Sequence, residues 1–173
     1  MKELKVLGEG ANFTAVSTGK FDGLKDYVLP LGGGVSVNGK VFTGGALKAT
    51  GMEMSLQTMC PGQASPFLHA HKRHEELYMI ISGEGEFRVD DKVFPVAEGS
   101  LVRVAPAGKR ALRNTGKANM VVMCIQYMSG SFGENDTPAG DGIVLEEDAF
   151  HNGLEPPDYQ TVSSRTLKGH LSR

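Results

Sequence analysis

The stretch His69-Ala70-His71-Lys72-Arg73-His74-Glu75-Glu76-Leu77-Tyr78 decides how this chain is read. Two histidines stand two residues apart, and a carboxylate follows at the start of a run of strand-forming residues. On extended backbone, residues two apart point to one face. His69 and His71 then aim their rings at one point, and Glu76 returns to that point from a neighbouring strand. Two imidazoles and one carboxylate on one face are a ligand set for a divalent transition metal. The pattern predicts a metal pocket held by His69, His71 and Glu76. His74, beside Lys72 and Arg73 in the turn, reads as surface.

Working outward, short strands and turns alternate on both sides of this stretch. Downstream, the pattern predicts strands over Phe67–His71, Glu76–Ser82, Glu86–Val89, Val93–Val96, Leu101–Val104 and Met120–Met128. Gly83, Asp90-Asp91 and Glu98-Gly99 supply turns, Ala105–Lys109 reads as a loop, and Pro95 argues for an edge strand. Upstream, Ala46–Thr50 and Met52–Met59 read as strands. Asn38-Gly39, between Val35–Val37 and Val41–Thr43, is a two-residue hairpin signal, because both central turn positions need positive φ. With 23 glycines and no tryptophan in 173 residues, the chain is expected to be an all-β sandwich or barrel in one domain. From Ser129 onward, Gly, Pro, Asp and Ser dominate, which reads as a linker or arm. Only Ile143–His151 is patterned there as a short helix. The division expected is an N-terminal arm with a hairpin over residues 1–45, a barrel over 46–130 and a polar tail over 131–173, all one structural domain.

These motifs resemble those of the cupin superfamily, in particular its small single-domain bacterial members. A first cupin motif, G-x5-HxH-x3,4-E-x6-G, is matched by Gly62, His69, His71, Glu76 and Gly83, with one extra residue after Gly62. This register selects Glu76 over Glu75 as the inward carboxylate. A second motif, G-x5-P-x-G-x2-H-x3-N, is traced by Gly99, Pro106, Gly108 and Asn114. Its histidine falls at Ala111 or Arg110, depending on the end from which one counts. The resemblance covers roughly residues 46–128. It implies a double-stranded β-helix, or jelly-roll barrel. It also reduces the usual three-His, one-Glu ligand set to His69, His71 and Glu76, for which Fe, Mn, Zn or Ni are all suitable.

Further residues join the pocket in this reading. Tyr78 and Ile80 share the face of Glu76 by the period-two rule, so Tyr78 would offer its phenol to a substrate or simply pack in the core. Arg110, in place of the missing histidine, would bind an anionic ligand at the barrel mouth together with Lys109 and Arg113. A base beside the metal would be Tyr78 or Glu75. Gln57 and Gln126 are further candidates for the barrel lining, and Cys124 reads as core packing. Leu77, Met79 and Ile81 make the opposite face apolar, so something must cover it: the N-terminal strands or a second subunit. A homodimer is expected.

Composition excludes other classes. Lys and Arg number 18 against 20 Asp and Glu, so no global field points to nucleic acid or a membrane surface. No apolar run approaches the ~20 residues that span a bilayer. Met1–Lys5 lacks the apolar core of a signal peptide, and Cys60 and Cys124 are expected to be reduced thiols of a cytoplasmic protein. Two functions follow. One is a metal-dependent enzyme acting on a small polar or anionic metabolite, of isomerase, epimerase, decarboxylase or dioxygenase type. The other is a ligand-binding or sensor protein without turnover, with or without the metal.

Overall fold

The computed structural model describes residues 2–132. The tail beyond them, including the helix expected at Ile143–His151, lies outside the described residues. Within them the chain forms β1 (Lys5–Gly10), β2 (Phe13–Ser17), a 3-10 helix (Phe21–Asp26), β3 (Val28–Gly32), β4 (Val35–Asn38), β5 (Lys40–Phe42) and a one-turn helix α1 (Gly44–Leu47). There follow β6 (Met52–Met59), β7 (His74–Ser82), β8 (Glu84–Val89), β9 (Lys92–Ala97), β10 (Leu101–Val104), β11 (Arg110–Asn114) and β12 (Met120–Met128).

Two antiparallel sheets build the barrel. One has the strand order β10-β7-β12-β6-β5, the other β11-β8-β9. Between them lie Met59, Ile80, Phe87, Val96, Val104, Leu112, Met120 and Val122. These residues alternate with outward ones along each strand, as a sheet with one face on the core requires. Phe87 has no exposed surface and packs edge-on to Tyr78, with ring centroids 4.9 Å apart. Burying a side chain of that size stabilises the fold by roughly 1.5–3 kcal/mol. Pro95 lies on β9, an edge strand, as its missing N–H requires.

The outer face of the larger sheet is partly covered from the N-terminal side. Leu24 and Tyr27 are buried there with Val121, packed by Leu4, Val41, Leu56 and Ile81. Toward the β10 edge the same face stays open, and Leu101 is 60% exposed.

Three expected elements differ from the structure. The hairpin at Asn38-Gly39 does not form: β4 pairs with β3, and β5 pairs with β6. The tight turn is Gly33-Gly34, whose φ angles of 59° and 80° supply the two positive values such a turn needs. Gly39 is instead the crossing point between ribbon and barrel. Its N–H donates to Tyr27 O at 2.8 Å and its carbonyl accepts from Thr58 N–H at 2.9 Å. The strand expected at Ala46–Thr50 is replaced by α1 and a left-handed Lys48, because Glu53 Oε1 accepts the Gly44 N–H at 2.7 Å and draws the backbone into a turn. The strand expected at Phe67–His71 is reduced to a single antiparallel bridge between His69 and Arg110.

Candidate metal centre

The site is built on β7. Its alternation sends Glu76, Tyr78 and Ile80 into the barrel, while Glu75, Leu77, Met79 and Ile81 face away. From β12, Gln126 stands opposite Glu76 and Cys124 opposite Tyr78; from β10, Val104 and Val102 do the same on the other side. Glu76 is therefore buried at the centre of a sheet, where it needs partners.

The two histidines come from the irregular segment that closes over this point. His69 N–H donates to Arg110 O at 3.3 Å, Arg110 N–H donates back to His69 O at 2.8 Å, and His71 N–H donates to Pro106 O at 2.9 Å. These bonds hold the segment against the start of β11 without a continuous ladder. The spacing of two still brings both rings inward, with centroids 5.4 Å apart and planes at 89°. One donor atom from each of His69, His71 and Glu76 lies within 4.8 Å of the others. Among the described residues this is the one His/Cys/Asp/Glu group so arranged.

The carboxylate of Glu76 is divided between two tasks. Its Oε2 accepts the Tyr78 hydroxyl at 2.6 Å and lies 3.2 Å from Arg110 Nε and 3.9 Å from His69 Nε2. Its Oε1 lies 3.1 Å from His71 Nε2. That approach is not aligned for a hydrogen bond: His71 Nε2 and His69 Nδ1 are both buried without a partner. Buried polar atoms are normally satisfied, so an unpartnered nitrogen on each of two imidazoles that converge on a carboxylate, with His71 Nε2 itself 3.1 Å from Glu76 Oε1, points to a further bonding partner. A divalent ion fits that role chemically, since two donors each about 2.1 Å from one ion stand roughly 3 Å apart.

The electrostatics favour ligand forms. Burial holds the His69 ring below its ordinary value, and the charges of Arg110, His71 and Lys40 push the same way, against Glu76. The ring is therefore neutral at pH 7, as a metal ligand must be. Burial alone would raise the Glu76 carboxyl. The Tyr78 hydrogen bond, His71 and Arg110 outweigh it and bring the group below the usual carboxylate range. Tyr78 is pushed well above its ordinary value, chiefly by burial and then by Cys124 and Glu76, so it stays a donor. The Cys124 thiol is pushed up to about 12 by burial, with Glu76 adding to it, and remains protonated.

Other expected residues take different places. Arg110 is not part of a basic cluster at the mouth: residues 110–114 form a strand, and its alternation puts Arg110 and Arg113 on opposite faces. Arg110 points inward with no exposed surface, and its guanidinium donates to Ala105 O at 3.2 Å and Pro106 O at 3.5 Å. Arg113 points outward and pairs with Glu86 of β8, Nε to Oε2 at 2.7 Å, while the Lys109 backbone N–H is held by Asp90. Glu75 is removed from the site. On the opposite face it binds Arg103 and accepts the Ser129 hydroxyl at 3.0 Å, and the Arg103 bond above all keeps its carboxyl below the ordinary value. Asn114 is structural: its Nδ2 donates to Met59 O and Ala118 O, each at 2.8 Å. Gln126 reaches His74 at 3.2 Å between Nε2 and Nδ1.

One residue near the site was not read from the sequence. Lys40 lies opposite Gln57 on the inward face of β5, its ammonium 5.2 Å from the Phe42 ring centroid, and its charge acts on His69 and Cys124. The alternation Lys40-Val41-Phe42 carries the signal, but only the pairing of β5 with β6 gives it a direction.

Comparison with known proteins places this barrel. Residues 55–126 match the family model described as the cupin domain. An uncharacterized protein of Methanocaldococcus jannaschii is 28% identical over 78 residues, covering 44% of this chain and 62% of that protein. The alginate biosynthesis protein AlgA of Pseudomonas putida is 32% identical over 111 residues, or 64% of this chain; the match spans only 21% of AlgA. Both curated relatives are thus matched over less than two thirds of their length. Among solved structures, a cupin protein of Bacteroides fragilis is 33% identical and superposes with a TM-score of 0.58 over 62% of this chain and 89% of its own. Aligned at 33% identity along nearly the whole length of a solved cupin, and matching the cupin-domain model over its barrel residues, this chain belongs to the cupin superfamily.

Proposed function

We propose that this cupin binds a divalent transition metal through His69, His71 and Glu76 and holds a small polar or anionic metabolite beside it. The observation that carries this reading is the convergence of one donor atom each from His69, His71 and Glu76 within 4.8 Å, with His71 Nε2 buried and unpartnered 3.1 Å from Glu76 Oε1. When bound, the metal would supply Lewis-acid polarisation of a substrate oxygen or, as iron, redox chemistry. Isomerase, epimerase, decarboxylase and dioxygenase types all suit a three-residue set with open positions. Similarity to a protein of alginate biosynthesis supports an oxygen-rich, polar metabolite as the ligand class.

The remaining residues have roles that do not depend on which reaction is run. Tyr78 and Arg110 pin Oε2 of Glu76, which leaves Oε1 as its free donor atom. Tyr78, held protonated, would act as a hydrogen-bond donor rather than a base. Phe87 backs Tyr78 and Phe67 stands edge-on to His69 at 5.7 Å, so apolar surface limits water around the ligands.

A second reading, ligand binding without turnover, is favoured by Arg110, whose charge already balances Glu76 without a metal. Elemental analysis of protein purified without chelator, beside a His69→Ala/His71→Ala variant, separates the two. Near-stoichiometric metal that the variant loses is the expected result. No metal in either protein, even after soaking, would overturn the metal reading and leave the ligand-binding one.

We also propose a homodimer through the open part of the outer face. Leu101 is largely exposed on the edge strand β10, in register with Met79 of β7 and through it with Met123 of β12, an apolar row that water disfavours. Light scattering on the full chain and on Leu101→Asp is the check. A monomer at all concentrations for the parent protein would refute the dimer.

A further inference from the structure

We propose that metal and an anionic ligand enter this site as a pair, because Arg110 sets a permanent positive charge inside it beside Glu76. The proposal rests on the metal-binding reading and names its ligand class: a small molecule whose anionic group completes the metal's shell, a carboxylate or a phosphate in a metabolite and any small coordinating anion as its probe.

Arg110 cannot leave the site as a surface arginine would. It has no exposed surface, its guanidinium is tied to the carbonyls of Ala105 and Pro106, and its own backbone is bridged to His69. Arginine is charged at every accessible pH. Its Nε lies 3.2 Å from Glu76 Oε2 and has no aligned hydrogen-bond partner. Glu76 is the only anionic member of the ligand group, and Arg110 already compensates it. A dication seated among His69, His71 and Glu76 would bring two positive charges, with no further carboxylate in the ligand group among the described residues. In a partly desolvated pocket that is costly. Lys40, on the inward face of β5, adds a further positive charge on the same side of the barrel. An anion completing the metal's shell removes the imbalance. By linkage, if the anion tightens the metal, the metal tightens the anion by the same factor.

The experiment is a Co2+ titration of the full chain, read by visible absorbance, with and without sodium azide as the probe anion. Free Co2+ with azide is the blank. In the parent protein azide should tighten Co2+ by about tenfold or more, within the range of ordinary site–site coupling. In Arg110→Gln, Co2+ should bind more tightly without azide, and most of the azide effect should vanish; Arg110→Lys should keep it. Equal Co2+ affinity with and without azide in the parent overturns the proposal and leaves the metal reading intact. An undiminished azide effect in a folded Arg110→Gln protein, judged by circular dichroism, overturns the role given to Arg110. Should that variant not fold, the parent titration decides by itself. No Co2+ uptake by either protein, with or without azide, overturns both the pairing and the metal reading.

Discussion

Tyr78 donates its phenolic proton to Glu76 Oε2 at 2.6 Å from two residues further along the same strand. Both side chains point into the barrel because a strand repeats every two residues. The bond fixes which oxygen of Glu76 is committed to the protein and which faces the histidines. Arg110 approaches the committed oxygen from β11, so the rotamer of Glu76 is held from two strands.

Replacing Tyr78 with Phe keeps the ring packed on Phe87 and removes only the donor. Hydrogen bonds to charged groups are worth about 1.5–3 kcal/mol, so urea unfolding should show a loss of about that size. Outer-shell partners of metal ligands matter by roughly 10–100-fold in affinity, and Co2+ titration should show a weakening in that direction. If neither quantity moves, Tyr78 is a core aromatic and nothing more.

The adjacent glutamates separate cleanly. Glu76→Gln should abolish metal uptake, whereas Glu75→Gln should leave it intact, because Glu75 faces away and binds Arg103 and Ser129. Metal content of the two variants after identical loading is the measurement. Loss of metal in Glu75→Gln would contradict the strand alternation on which the site rests.

Acidification should weaken the fold through His69 before it reaches the carboxylates. The folded ring titrates below its ordinary value of 6.5, so on lowering pH through that value the unfolded chain takes up a proton first. Stability contributed by the neutral ring is complete above about pH 6.5 and falls as pH drops toward the folded value. Glu76 behaves likewise at lower pH: its contribution is present above the ordinary carboxylate value and lost as pH falls through its lowered one. Metal-free protein unfolded by denaturant across this range should show the first slope in the parent and not in His69→Gln.

Gly39 and Gly33 both sit at positive φ yet should respond differently to alanine. A Cβ on Gly39 would lie 2.3 Å from the Thr58 carbonyl oxygen, while one on Gly33 meets nothing within 4 Å. Gly33→Ala should cost about 1 kcal/mol for its left-handed backbone. Gly39→Ala should cost clearly more, since backbone of β6 must shift. Thermal unfolding of the two variants compares them directly, and equal costs would contradict the crossing-point role of Gly39.

The barrel strands from Met52 onward, β11 excepted, were legible because each is an alternating or apolar run of strand-forming residues, and glycine or Asp-Asp turns mark most of their ends. What failed was mostly about partners. Asn38-Gly39 has the chemistry of a hairpin turn, but Gly33-Gly34 supplies two glycines just upstream and captures β4 for β3. Lys109, Arg110 and Arg113 read as one basic cluster at the barrel mouth because three cations in five residues mask a strand, Arg110–Asn114, whose buried positions are Arg110, Leu112 and Asn114.

The sequence by itself determined the all-β class and the convergence of His69, His71 and Glu76, through the i, i+2 spacing of the histidines and the motif resemblance that selects Glu76, with Tyr78 following Glu76 by strand alternation. Only the tertiary structure decided that Arg110 turns inward onto Glu76, that Glu75 is spent on Arg103, and that Lys40 faces the site. Those are questions of register between strands distant along the chain. A one-residue slip there would exchange inside for outside, and it is the pairing of β11 with β8 and of β5 with β6 that excludes it.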